Sequence, residues 1–165
     1  MSIRDLTLPP REYQLMNIFV LDTNPKIAAE YHCDDHVHKM ILESAQMLST
    51  VIGHGYKPTH ANHPCTLWVA KSQSNCQWLI ELACHLNDQY KLRFGHRVNH
   101  KSWDVIAENH MFNFDHLPDI PMTPFAQAMP DYYKSDDAVQ SYRNYYRLHK
   151  PFVTWKYTQK PHWMQ

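Results

Sequence analysis

Residues 34–55, DDHVHKMILESAQMLSTVIGHG, decide the fold class. Val37, Met40, Ile41, Ala45, Leu48, Val51 and Ile52 recur at steps of three and four residues, which on an α-helix places one apolar stripe against a core. Asp34 or Asp35 can cap the start of this helix, and Gly53-His54-Gly55 stops it near Ile52. A helix this regular needs partners of the same kind.

Those partners lie on both sides of it. Upstream, the apolar, β-prone run MNIFVLD from Met16 reads as a short strand or extended segment, and Asn24-Pro25 opens a helix over about 25–33. Downstream, a His-, Pro- and Asn-rich loop runs to Pro64. Residues 65–94 then read as one long helix, or two broken near Ser72–Ser74, with a further short helix over 101–110. The stretch DHLPDIPMTPFAQAMP holds four prolines and should be an ordered loop packed by Ile120, Met122 and Phe125. A last helix is expected over about 136–149, ended by Pro151, while residues 1–15 lack periodicity and read as an arm. The expected architecture is mainly α, a compact helical domain over 16–165 with a short extended segment at its start and a long Pro-rich loop.

Composition narrows the functions open to it. The chain has 165 residues with 16 Lys+Arg against 16 Asp+Glu, 13 His and only 3 Gly. With glycine at 53, 55 and 95 alone, neither a G-x-G-x-x-G turn nor a P-loop can form, so any phosphate must be held by side chains or helix ends. The zero net charge conceals an asymmetry: residues 138–165 carry Arg143, Arg147, Lys150, Lys156 and Lys160 with no acidic side chain, which is +5 here and −5 elsewhere. Cys33, Cys65, Cys76 and Cys84 form no C-x-x-C pair, and with no signal-type apolar run ahead of them they fit reduced thiols in a cytoplasmic protein. No run of apolar residues is long enough for a membrane span.

Four groups of residues can carry chemistry. On a helix extended back through residue 32, His32, His36, Lys39, Glu43 and Gln46 share an arc of about 80° opposite the apolar stripe. A carboxylate beside a lysine and histidines suits proton transfer or stabilisation of a cation, whereas a plain solvated face would serve solubility alone. His32, Asp34 and His36 also have the ligand types of a metal-dependent hydrolase, although H-x-x-x-H here lacks the glutamate of H-E-x-x-H. His63, Trp68, Ser72 and Asn75 could line up around a flat heterocycle, or could be core and capping residues. The tail interleaves Arg143, Tyr146 and Lys156 with further aromatic and basic residues, as a surface for a nucleic-acid backbone does and as a docked aromatic tail also would.

The order of these pieces resembles the small phage-encoded pyrimidine-dimer DNA glycosylases of the endonuclease V type. The likeness rests on MNIF, His36 seven residues before Glu43, His63 at a later helix start, a long helix ending in R-F-G, and KPFVTWKYTQKPHW. It implies a compact helical fold, damaged DNA or a pyrimidine nucleotide as substrate, no cofactor, and Glu43 as the carboxylate that stabilises an oxocarbenium-like sugar. His36 and Lys39 would tune Glu43; His63, Trp68, Ser72, Asn75 and Gln46 would contact the base; Arg143, Tyr146 and Lys156 would hold phosphates. The chain departs from that family's pattern at the nucleophile, an α-amino group, because fifteen residues precede Met16 here. Lys39 is the substitute amine on the same arc. The competing expectation is a nucleic-acid-binding protein without turnover.

Overall fold

The computed structural model describes residues 16–109, 111–149 and 153–164. Its regular elements are α1 (Pro25–Tyr31), α2 (Asp34–Ile52), α3 (Pro64–Lys71), α4 (Gln73–Phe94), α5 (Lys101–Glu108) and α6 (Ala138–His149), with 3₁₀ turns at Asp131–Tyr133 and His162–Met164. Among the described residues there is no strand. The arm over residues 1–15 and Pro151 lie outside the described residues.

Local chemistry sets most helix ends. Pro25 takes the first position of α1, where its missing N–H is no loss, and Asn24 Oδ1 accepts from Lys26 N at 2.9 Å. The start of α2 differs from expectation: its cap is Cys33, whose side chain makes no capping bond to the helix, and Asp34 is the first helical residue. The long stretch after residue 64 is two helices, because Ser72 adopts an extended φ of −156° and caps α4 by accepting Asn75 N at 2.9 Å. Asp137 caps α6 by accepting Gln140 N at 3.1 Å.

The helix α2 is the axis of the molecule. It packs against α3, α4 and α5, and α1 lies along α4. The segment 16–21 threads this assembly in extended form, with Met16, Ile18, Phe19, Val20 and Leu21 buried. Phe19 meets the rings of Tyr142, Tyr145 and Tyr146, so the aromatic face of α6 closes the core over the segment. No helix among the described residues is long and apolar enough to cross a membrane.

The Pro-rich loop is ordered by polar contacts more than by the apolar residues expected to pack it. Ile120 and Met122 are exposed, at 46% and 43%, and only Phe125 turns inward, stacking on Trp68 at 5.2 Å. Thr123 holds the loop instead: its N–H donates to Asn75 Oδ1 at 3.0 Å and its carbonyl accepts from Trp68 Nε1 at 3.3 Å.

Gly55 is a point of close approach. Its φ is +90°, and a Cβ there would lie 2.5 Å from Met111 Cε and 2.7 Å from Ser49 Oγ. Met111 can yield, but Ser49 Oγ cannot easily, because it donates to Ala45 O and accepts Tyr56 N. Gly55→Ala is therefore expected to lower stability by about 2 kcal/mol, the sum of left-handed strain and displaced contacts. Urea denaturation reads this directly, and a loss below about 0.5 kcal/mol would show that the turn relaxes freely.

Candidate active site around Glu43

The most unusual feature of α2 is a carboxylate on its buried side. Glu43 is 5% exposed, and its Oε1 accepts the main-chain N–H of Asn17 at 2.9 Å. A buried ionisable group is costly unless partners compensate, so its presence in a core of this size marks a functional candidate.

Asn17 is the hub of that region. Its Oδ1 accepts Ile18 N at 2.8 Å and lies 3.1 Å from the hydroxyl of Tyr142 and 3.8 Å from Cys65 Sγ. Its Nδ2 donates to the carbonyl of Ala128 at 2.9 Å. The Tyr142 hydroxyl shares its proton between Asn17 Oδ1 and the Ala126 carbonyl, and accepts Ala128 N. Through Asn17, then, the threading segment, α6, the Pro-rich loop and the start of α3 are tied to the carboxylate. Burial pushes the Cys65 thiol up to about 12 and holds the Tyr142 hydroxyl well above its ordinary range, so both stay protonated and neither serves as an anionic nucleophile.

His36, two turns before Glu43, is buried as well. Phe19 stacks on its ring at 4.5 Å, and its Nδ1 lies 2.8 Å from the Tyr146 hydroxyl. That hydroxyl also accepts Cys33 N at 3.0 Å. The imidazole is thus held from the face and from one ring nitrogen.

Several expected roles change once the surroundings are known. The arc from residue 32 to 46 is not a single face: His32 lies before α2, His36 and Glu43 are buried, Gln46 is half-buried and Lys39 is exposed. The solvent stripe of α2 is Asp35, His38, Lys39 and Leu42, so Lys39 is poorly placed to act as an amine beside Glu43. Trp68, Ser72 and Asn75 are buried and do not form a free base-reading surface. Asn75 Nδ2 donates to the Trp68 carbonyl and to Thr123 Oγ1, each at 2.7 Å, which consumes its amide in holding the Pro-rich loop. His63 caps α3, its Nδ1 accepting Cys65 N at 3.1 Å, and is half-buried two residues from a thiol that touches Asn17.

The tail residues are also largely committed. Tyr146 is fully buried, and Arg143 donates to the Leu21 carbonyl at 2.9 Å and to Asp22 Oδ2 at 3.2 Å while lying over the rings of Tyr31 and Trp163. Of the three expected phosphate ligands, Lys156 alone keeps an exposed side chain, its main-chain N–H going to Asp34 Oδ2 at 2.7 Å. The hydrolase reading built on His32, Asp34 and His36 fails on the same grounds. Asp34 is occupied by Arg93 and Lys156 N, His32 donates Nδ1–H to Ala28 O, and no group of three His, Cys, Asp or Glu side chains among the described residues converges as metal ligands.

His32 has a consequence for pH. It is fully buried, Nδ1–H donates to Ala28 O at 2.6 Å, Nε2 has no partner among the described residues, and burial lowers its pKa to about 4. His63 and His100 are lowered too, chiefly by burial, and each accepts a backbone N–H at a helix start, which requires a neutral ring. A histidine held neutral in the fold contributes fully above its unfolded pKa of about 6.5, and that contribution is lost as pH falls from there toward the folded value. At about 1.4 kcal/mol per pH unit, His32 alone should remove about 3 kcal/mol between pH 6.5 and 4. Urea denaturation across that range should show a slope that His32→Gln reduces; an unchanged slope in the variant refutes this assignment.

Asn17 and Tyr142 are the partners that sequence reasoning missed. The signal available was an amide placed inside the apolar run MNIFVLD, since a buried Asn must find hydrogen bonds. Comparison of the chain with models of known protein families, with functionally characterised proteins and with solved structures finds no match.

Proposed function

We propose that the protein cleaves the N-glycosidic bond of a pyrimidine nucleotide in DNA, with Glu43 as the catalytic carboxylate. The observation that supports this reading is the burial of Glu43 against the Asn17 main-chain N–H. A carboxylate shielded from water interacts strongly with charge that develops beside it, which suits a sugar turning into an oxocarbenium ion. As the C1′–N1 bond breaks, its electron pair leaves with the base; water adds its oxygen to C1′, and the proton it gives up ends on the departing base nitrogen.

Because Glu43 is buried, the nucleotide has to leave the base stack to reach it. Asn17 is joined to Met16 by an amide, so its nitrogen donates to Glu43 but cannot form an imine with the sugar. The chain as it stands is thus expected to hydrolyse the bond without trapping by borohydride. The test is release of free base from duplex oligonucleotides carrying a pyrimidine dimer, an oxidised pyrimidine or only ordinary bases. Absence of base release from all three, with DNA bound, replaces this reading with that of a binding protein without turnover.

A further inference from the structure

With Arg143 and Tyr146 committed inside the molecule, polyanion contact has to come from elsewhere on the surface. The end of α4 and the turn that follows supply it. Residues 89–103, QYKLRFGHRVNHKSW, contain Lys91, Arg93, Arg97 and Lys101 without a single carboxylate. Arg93 is buried, but Arg97 and Lys101 are exposed, and among the described residues neither forms an ion pair.

The fold joins this stretch to the tail through a continuous run of rings. Tyr157 meets Phe94 at 5.3 Å, and Phe94 meets His96 at 6.4 Å and His38 at 5.7 Å. His96 stacks on Tyr90 at 4.2 Å with an interplanar angle of 18°, and His100 meets the edge of Tyr90 at 5.0 Å. Tyr157 is 59% exposed, and His38 and His96 are exposed as well. Lys156 and Lys160 are exposed on the tail side, and a cleft of about 490 Å³ between Gln89, Leu92 and residues 158–162 runs alongside, with Glu30 as its one carboxylate. The acids around it are Asp88 beside His85, Asp104, which accepts from Asn99, and at the start of α2 the exposed Asp35 and the buried Asp34, the latter taken up by Arg93 and the Lys156 main-chain N–H.

We propose that this surface binds a single strand of nucleic acid, with Tyr157 and His96 as stacking platforms for unpaired bases and Arg97, Lys101 and Lys156 on the phosphates. Exposed ring faces beside unpaired cations are what a strand with accessible bases requires; a duplex hides its base faces and leaves the rings unused. The surface shares α2 with Glu43 but lies on the solvent stripe of that helix, so strand binding and base release are separable.

The experiment is fluorescence anisotropy of labelled oligo(dT) titrated with the full chain at several salt concentrations. The wild-type protein should bind with strong salt dependence. Arg97→Gln with Lys101→Gln should reduce the slope of log affinity against log salt by about 1.4, at about 0.7 per phosphate contact on a single strand. Tyr157→Ala should weaken binding at least about fivefold with the slope unchanged, since it removes stacking and no charge. Lys26→Gln, in the first turn of α1, should leave both quantities as they are. The proposal is overturned by no salt-dependent binding, by an unchanged slope in the double variant, by an equal loss in Lys26→Gln, by tighter binding of duplex than of oligo(dT), or by equal competition from poly-glutamate. Strand binding without base release from any substrate leaves this surface standing and removes the glycosidic reading. Base release untouched by the double variant and by Tyr157→Ala, with no oligo(dT) binding, does the reverse.

Discussion

Glu43→Gln is expected to lower base release by at least about 10²-fold while leaving the fold and oligonucleotide affinity intact. The substitution keeps the shape of the side chain and an oxygen that can accept the Asn17 N–H, the contact made at 2.9 Å by the native carboxylate. What it removes is the negative charge, the one property that an oxocarbenium-like sugar requires. A buried charge exchanged for a neutral amide of the same volume does not destabilise by desolvation, so the melting temperature should hold or rise. Activity and stability are thereby decoupled, which a merely structural role for Glu43 would not produce. Base release by the variant at the wild-type rate removes Glu43 from the chemistry; loss of activity together with loss of folding assigns it to the core instead.

How much of this was legible in the residues depends on the distance over which each contact reaches. The apolar stripe of α2 and the Asn24-Pro25 start of α1 are local, set by side chains within four residues of the backbone they serve, and the sequence places both; the break at Ser72, one of two alternatives in the sequence, is equally local and is the one the fold takes. The environment of Glu43 was not local. Asn17 is 26 residues from Glu43, and Tyr142 is 125 from Asn17, so neither pairing leaves a trace in periodicity. A helical wheel also gives direction without saying what covers it. The wheel leaves the side of α2 that carries His36 and Glu43 open between a chemical face and a solvated one; the segment 16–21 and α6 lie over it, so the helix is buried on more than its apolar stripe. The tail posed the same difficulty in reverse: interleaved aromatic and basic residues describe a nucleic-acid surface and a docked segment equally well, and burial of Tyr142, Tyr145 and Tyr146 decides that α6 is largely the latter. A charge count says equally little about residues 89–103, because the buried Arg93 and the Lys91 that reaches Asn99 look the same in it as the exposed Arg97 and Lys101.

Arg93→Ala is expected to cost about 3–5 kcal/mol, the loss typical when one partner of a buried ion pair is removed. The arginine of the R-F-G sequence ends α4, yet its guanidinium reaches back to the junction between α1 and α2. Nη1 donates to the His32 carbonyl at 2.6 Å and to Asp34 Oδ1 at 3.3 Å, Nη2 donates to the Glu30 carbonyl at 2.8 Å, and Nε donates to Gln89 Oε1 at 2.9 Å. The two carbonyls belong to the end of α1, where no further helical turn can satisfy them, so one side chain caps α1 and neutralises the first residue of α2. Truncation leaves Asp34 buried with the Lys156 N–H as its remaining donor among the described residues, and leaves both carbonyls short of a partner. Arg93→Met separates packing from polar contacts by restoring the aliphatic stem, and should recover little. Arg93→Lys should recover only part, since an ammonium cannot present the same planar fork to four acceptors. Against a total stability of about 5–15 kcal/mol for a domain, a loss of this size is read easily from urea midpoints. A cost under about 1 kcal/mol for Arg93→Ala would mean that water satisfies the α1–α2 junction, and that the R-F-G end of α4 is not what holds the start of the Glu43 helix in place.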